Sequence, residues 1–145
     1  MSNFFGISEA GSIALHAMVM LSRNPGRLVR IKEIADTFSF SKAHLAKVLG
    51  RLVRAGLVEA TRGPSGGYKL SAPPDDISLF EIYEVIEGKQ KHNKCMFSIA
   101  LCDGSVCSLG GYFTKVAGDV EKHLSNTKLS DISFNRAVFD IEIGS

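Results

Sequence analysis

From Glu9 to Leu21 apolar residues return every third or fourth position, placing Ile13, Ala14, Ala17, Met18 and Leu21 on one stripe. That spacing predicts a helix that buries one side. Ser8 carries the short hydroxyl that caps a helix start, and Asn24-Pro25-Gly26 ends the segment because proline and glycine interrupt helical continuity. Val29 opens the next apolar stretch. Ile31 to Phe38 repeats the helical spacing over a shorter length, with Ile34, Ala35 and Phe38 inward, and Ser39-Phe40-Ser41 forms a turn. Ser41 is placed to cap a third helix, Lys42 to Ala55, with Leu45, Val48, Leu49 and Leu52 as its buried stripe. Lys42, His44, Lys47, Arg51 and Arg54 fall mostly off that stripe, and Gly56 stands where a helix end favours glycine.

The period then changes from helical to alternating. Leu57 to Ala60 and Gly67 to Leu70 read as paired strands around Arg62-Gly63-Pro64-Ser65-Gly66. Glycine tolerates the positive φ of tight turns, and Pro64 fixes its own φ near about −65°. Arg62 and Lys69 give this finger cationic flanks suited to a phosphate backbone. Two short helices joined by a brief turn, the second one basic, form a helix-turn-helix pattern. The hairpin makes it a winged helix-turn-helix, although a helix pair of this kind also occurs as a plain structural corner.

Pro73-Pro74-Asp75-Asp76 marks a break, after which Ser78 and Glu81 have the spacing of a capping box. The helix it starts, Leu79 to Glu87, is expected to bury Phe80, Ile82, Tyr83 and Ile86 before Gly88 ends it. Lys89 to Lys94 is a polar, basic link, and Cys95 to Gly111 shows little helical periodicity. Helical spacing returns over Tyr112 to Leu124, where Phe113, Val116, Ala117, Val120 and Leu124 would form a dimer or core face. From Leu129 the tail alternates too loosely for an assignment. The expected fold class is mainly α with a small β-wing: a winged helix-turn-helix plus a dimerisation helix. Residues 1–74 would be the DNA-binding domain, and 75–145 the cysteine-loop sensor segment with the dimerisation helix.

Composition narrows the class. At 145 residues with 45% hydrophobic content and a mean hydropathy of +0.10, the chain can bury a core and is not disordered in character. No apolar run approaches the roughly 20 residues of a membrane span, and residues 1–11 show no signal-peptide pattern, so a cytoplasmic location is the default expectation. The net charge of +2 hides an asymmetry: residues 1–72 carry +6 and residues 73–145 carry −4. A basic half joined to an acidic half suggests one polyanion-binding face and a separate body, unless the split is chance.

All three cysteines, Cys95, Cys102 and Cys107, fall in the aperiodic stretch with spacing C-x6-C-x4-C. In a reducing compartment clustered cysteines favour metal, cluster or redox use over structural disulfides, and thiolates are the preferred iron–sulfur ligands. Small buried hydrophobes are the plainer reading. His16, His44, His92 and His123 make no metal spacing among themselves, and no H-E-x-x-H or G-x-S-x-G pattern occurs. The glycine run around residues 63–69 lacks phosphate-loop spacing, since Tyr68 stands where the second glycine would be. An enzyme is the least supported class.

The segments Ile31-Lys32-Glu33-Ile34-Ala35, Leu49-Gly50-Arg51-Leu52, Ala55-Gly56-Leu57-Val58 and Arg62-Gly63-Pro64-Ser65-Gly66-Gly67-Tyr68 resemble the Rrf-two family of bacterial winged-helix regulators, which includes IscR, NsrR and CymR. Ile13 to Met18 resembles that family's first helix, and Ile77 to Gly88 the region beyond its wing, so the likeness spans roughly residues 7–125. The resemblance implies a homodimer on a palindromic double-stranded DNA operator. Ser41, Lys42, His44, Lys47 and Arg51 would belong to the recognition helix, and Arg62, Ser65 and Tyr68 to the wing. It further implies a 2Fe-2S or 4Fe-4S cluster held by Cys95, Cys102 and Cys107, although the cluster-binding members more commonly space theirs C-x5-C-x5–7-C. Where such members supply a histidine as fourth ligand this chain has Gly110, and where they supply an acid it has Ser12; Glu9, Asp103 and His92 are the alternatives. Ala46 occupies the place of a glutamate that tunes base choice in some members, so operator sequence does not carry over. The function so implied is a transcription regulator sensing iron–sulfur status, nitric oxide or redox state. A cluster-free thiol switch or cysteine-metabolism regulator, and a winged-helix protein-interaction module, are the alternatives.

Overall fold

The computed structural model describes residues 7–89, 107 and 109–132. Five helices and one hairpin follow in the order α1 (Glu9–Ser22), α2 (Ile31–Phe38), α3 (Lys42–Arg54), β1 (Val58–Thr61), β2 (Gly67–Leu70), α4 (Leu79–Glu87) and α5 (Gly110–Asn126). The mainly helical class with a small β-wing is what the apolar periodicity predicts. Short 3-10 turns at Pro74–Asp76 and Leu129–Asp131 complete the described elements.

The helix starts follow from local chemistry. Ser8 Oγ accepts the Gly11 N–H at 3.0 Å at the head of α1, and Ser41 Oγ accepts from His44 N–H at 3.4 Å at the head of α3. Ser78 and Glu81 form the expected capping box on α4. Ser39, at φ 57°, turns the chain between α2 and α3 in the left-handed region, and Gly56, at φ 81°, closes α3. Such residues satisfy end groups that the helix itself leaves open.

The helix α1 is buried on more than the expected stripe. Val19 and Met20 join Ile13, Ala14, Ala17, Met18 and Leu21 in the core, because α1 packs against α3, α4 and β2 at once. A helix apolar on most sides is one surrounded by protein. Leu45, Val48, Leu49 and Leu52 of α3 meet it from one side, Ile82 and Ile86 of α4 from another. Phe80 and Tyr83 are half-buried rather than buried, stacked on each other with ring centres 6.5 Å apart.

The hairpin pairs Val58 with Leu70 and Thr61 with Gly67 in antiparallel register. A third piece of extended chain, Val29, bonds Tyr68 through both backbone groups at 2.8 Å and ties the hairpin to the body.

After α5 the chain returns beside the start of α4. Leu79 N–H donates to Thr127 O at 2.9 Å and Leu129 N–H to Ile77 O at 2.8 Å. Leu129, in the tail that periodicity left unassigned, is only 1% exposed and belongs to the same cluster as the residues of α1 to α3. On α5, Phe113, Val116, Ala117, Val120 and Leu124 are half-buried. Cys95, Cys102 and the tail beyond Ile132 lie outside the described residues.

Candidate nucleic-acid interface

The expected DNA-facing residues separate into three groups. Ser41, Lys42 and Lys47 are exposed on α3, and Arg62 and Ser65 are exposed in the wing turn. At 3.6 residues per turn, the middle of the outward side of α3 is the row Ala43, Lys47, Gly50 and Arg54, opposite the Leu45–Leu49–Leu52 stripe. Arg54 is exposed there and extends the basic row, although it was not among the expected contacts.

His44 lies at the edge of that face, half-buried, with Nδ1 4.0 Å from Glu9 Oε1 at the start of α1. Tyr68 is half-buried against the core, and its backbone belongs to the bridge with Val29.

Arg51, which the resemblance implies on the recognition helix, is engaged within the fold. Its guanidinium donates to Val85 O at 3.0 Å and Ile86 O at 2.7 Å, in the last turn of α4. A helix end offers unpaired carbonyls with partial negative charge, and an arginine placed there satisfies both. The side chain is therefore turned toward α4.

The wing is rigid for reasons sequence shows only in part. Gly63, at φ 106°, takes a backbone conformation that a side chain would strain, and Gly66 N–H closes the turn on Gly63 O at 3.0 Å. At Gly66 a Cβ would run into the carbonyl of Thr61. From outside the turn, Arg30 donates to Pro64 O at 2.9 Å and so braces the tip from the start of α2. Arg30 was read only as part of the basic half, because its partner lies 34 residues away. Lys69 pairs with Glu59 across the hairpin at 3.4 Å, so the wing's cationic character rests on Arg62.

Cys107 is half-buried just ahead of α5. Among the described residues no three His, Cys, Asp or Glu side chains gather as a metal site.

A helix pair with a braced, basic wing on a shared core is the frame of a DNA-binding regulator, and comparison with known proteins decides which kind. The Rrf2 family, described as an iron-dependent transcriptional regulator, matches residues 7–135. The chain belongs to the Rrf2 family. Rrf2 proteins are transcription regulators, a non-enzymatic family. Among its relatives, the regulator BadM of Rhodopseudomonas palustris is 45% identical over 81 residues, covering 56% of this chain and 52% of that protein. Thus the chain spans about half of BadM. NsrR of Bacillus licheniformis is 31% identical over 134 residues, covering 85% of this chain and 88% of NsrR. The structure of CymR (YrzC), the global cysteine regulator of B. subtilis, superposes with a TM-score of 0.74 at 28% identity, covering 88% of this chain and 95% of CymR. The Rrf2 winged-helix fold accounts for the order of all five helices and the hairpin.

Proposed function

We propose that this Rrf2 protein binds double-stranded operator DNA as a homodimer and that the state of Cys95, Cys102 and Cys107 sets its affinity. The observation that carries the DNA contact is the exposed row on α3, with Lys47 and Arg54, and Lys42 exposed at the helix start, beside a wing whose Arg62 stands on a braced turn. Such cations reach phosphates and supply the salt-sensitive part of binding, while Ser41, His44 and Ser65 are placed to read or position. Tyr68 supports the wing from behind. The half-buried apolar residues of α5 offer a face for the second copy, and two copies would read a palindromic site. A DNA partner would place the protein in the cytoplasm.

Three thiolates within residues 95–107 suit an iron–sulfur cluster, whose chemistry when bound would be redox and nitric oxide sensing. The iron-dependent description of the family supports that reading. The likeness to a cysteine regulator supports the second reading, in which the same thiols oxidise or pair without iron.

Titration of DNA into the purified protein by fluorescence anisotropy, across a salt series, tests the first part. Affinity should fall steeply with salt, and Lys47→Ala should flatten the slope by about one. Binding that ignores salt would instead support a protein-interaction module. Anaerobic absorption with an iron and sulfide count tests the second part. Protein that holds no iron after reconstitution leaves only the thiol switch.

A further inference from the structure

The last turn of α4 is fastened on two sides. Toward the recognition helix, the carbonyls of Val85 and Ile86 accept both bonds from Arg51 of α3. Toward α1, the Glu87 carboxylate accepts from Ser8 N–H at 2.9 Å and from Ser8 Oγ at 2.6 Å. Ser8 Oγ in turn accepts the Gly11 N–H, so Glu87 is joined to the helix cap itself. The approach is close enough that a Cβ on Gly11 would stand 2.6 Å from Glu87 Oε1. Negative charge at the head of α1 is favourable there. Two residues later, after Gly88 at φ 82° and the exposed Lys89, the chain enters the stretch that carries Cys95 and Cys102.

We propose that this turn, Val85 to Gly88, is the relay through which the cysteine-bearing stretch acts on the recognition helix, with Arg51 and Glu87 as its positioning residues. The proposal rests on the reading that cysteine state controls DNA affinity. A pull or twist delivered at Gly88 reaches the end carbonyls of α4 first. Arg51 holds those carbonyls from the middle of the third turn of α3, so a displaced α4 end must either move α3 or break two charge-assisted bonds. Glu87 fixes the other side of the same turn to α1, which makes α4 pivot about Ser8 rather than slide. Packed elements respond to such displacements as bodies with alternative arrangements, and coupling between two sites needs an element whose position both of them bias.

The test compares the full chain with Arg51→Met and Glu87→Gln, and with Arg51→Lys as the conservative variant should Arg51→Met fold poorly. Each is measured before and after reconstitution with iron and sulfide, and, separately, before and after mild peroxide on iron-free protein. One readout is affinity for duplexes selected by the wild-type protein from a random pool. The other is hydrogen exchange over residues 42–54, which does not depend on DNA. Wild-type protein should change affinity by about fivefold or more on at least one treatment, with a matching change in exchange on α3. In the variants both changes should shrink to within about twofold while iron uptake stays at the wild-type level. The salt dependence of unloaded Arg51→Met should equal the wild-type slope, because a positioning residue releases no counterion. A slope lowered by about one would make Arg51 a phosphate contact and overturn the relay. Variants that keep the wild-type response would overturn the relay alone. A wild-type protein unresponsive to both treatments would overturn the sensing reading, and the relay with it.

Discussion

Gly67→Ala tests how the wing is held to the body. A methyl at Gly67 would stand 2.7 Å from the Val29 carbonyl oxygen, 3.0 Å from its carbon and 3.2 Å from Leu28 Cβ. The obstacle is backbone, so no rotamer change relieves it. Either Val29 or the start of β2 must retreat, and these are the two partners of the Val29–Tyr68 bridge, with both bonds at 2.8 Å. Losing both costs about 1–3 kcal/mol at roughly 0.5–1.5 kcal/mol each. Lower freedom of the unfolded chain returns about 0.4–1 kcal/mol, leaving a net loss between about 0 and 2.6 kcal/mol, centred on about 1.3 kcal/mol. Urea unfolding should show a lower midpoint at unchanged m-value, because the folded state is weakened without exposing a different surface on unfolding. Gly63→Ala is the matched control: nothing lies within 4 Å of its added carbon, and its φ of 106° is the only obstacle. Both variants should weaken DNA binding, but only Gly67→Ala should loosen the hydrogen-exchange protection of Val29. A Gly67→Ala protein within about 0.3 kcal/mol of wild type, with Val29 still protected, would refute the close-approach argument.

Leu129→Ala should cost about 2–5 kcal/mol, the range for a fully buried leucine, because Leu129 is 1% exposed in the shared core. Its unfolding by circular dichroism should remain a single transition, and a separate early transition from the C-terminal region would contradict that placement. Ser78→Ala should lose about 1 kcal/mol in chemical denaturation, since Ser78 Oγ accepts the Glu81 N–H at 3.2 Å at the head of α4. At Glu33 burial acts to raise the carboxyl pKa, but the Arg30 backbone N–H and the Arg27 guanidinium outweigh it and hold it below its ordinary 4.5. A carboxyl depressed on folding stabilises fully above its unfolded value and loses that stabilisation as pH falls through its folded value. Glu33→Gln should therefore destabilise most at neutral pH, and the gap to wild type should close as pH drops below 4.5 in thermal melts. A gap that widens in acid would reverse the assignment.

Helix starts were legible because caps are local. Ser8, Ser41 and Ser78 each bond a backbone group within three residues, so the signal lies inside a short window of sequence. The first strand was expected one residue early. Leu57 N–H bonds Leu52 O at 3.0 Å and so still belongs to the end of α3, which displaces the strand start to Val58. Arg51 was not legible as a link to α4, since on a helical wheel it borders the exposed basic side and its partners lie 34 and 35 residues away. Burial of Leu129 was hidden in the same way. Its alternating neighbours carry no clear period, and only the return of the chain after α5 brings it against Ile77. Local chemistry is written in neighbouring letters, whereas these contacts depend on how whole helices pack.

That distinction changes what the basic half means. Of the ten Lys and Arg in residues 1–72, several are already engaged within the fold: Arg27 with Glu33, Lys32 with Asp36, Lys69 with Glu59, Arg30 with Pro64 O, and Arg51 with the end of α4. The exposed cations left along α3 and the wing turn are Lys42, Lys47, Arg54 and Arg62. With about −0.9 in slope per neutralised phosphate, those four would contribute about −4 per chain, well short of what all ten Lys and Arg of that half would give. The charge asymmetry therefore has two uses. Arg30 joins the head of α2 to the wing tip and Arg51 joins α3 to the end of α4, while Lys42, Lys47, Arg54 and Arg62 face outward.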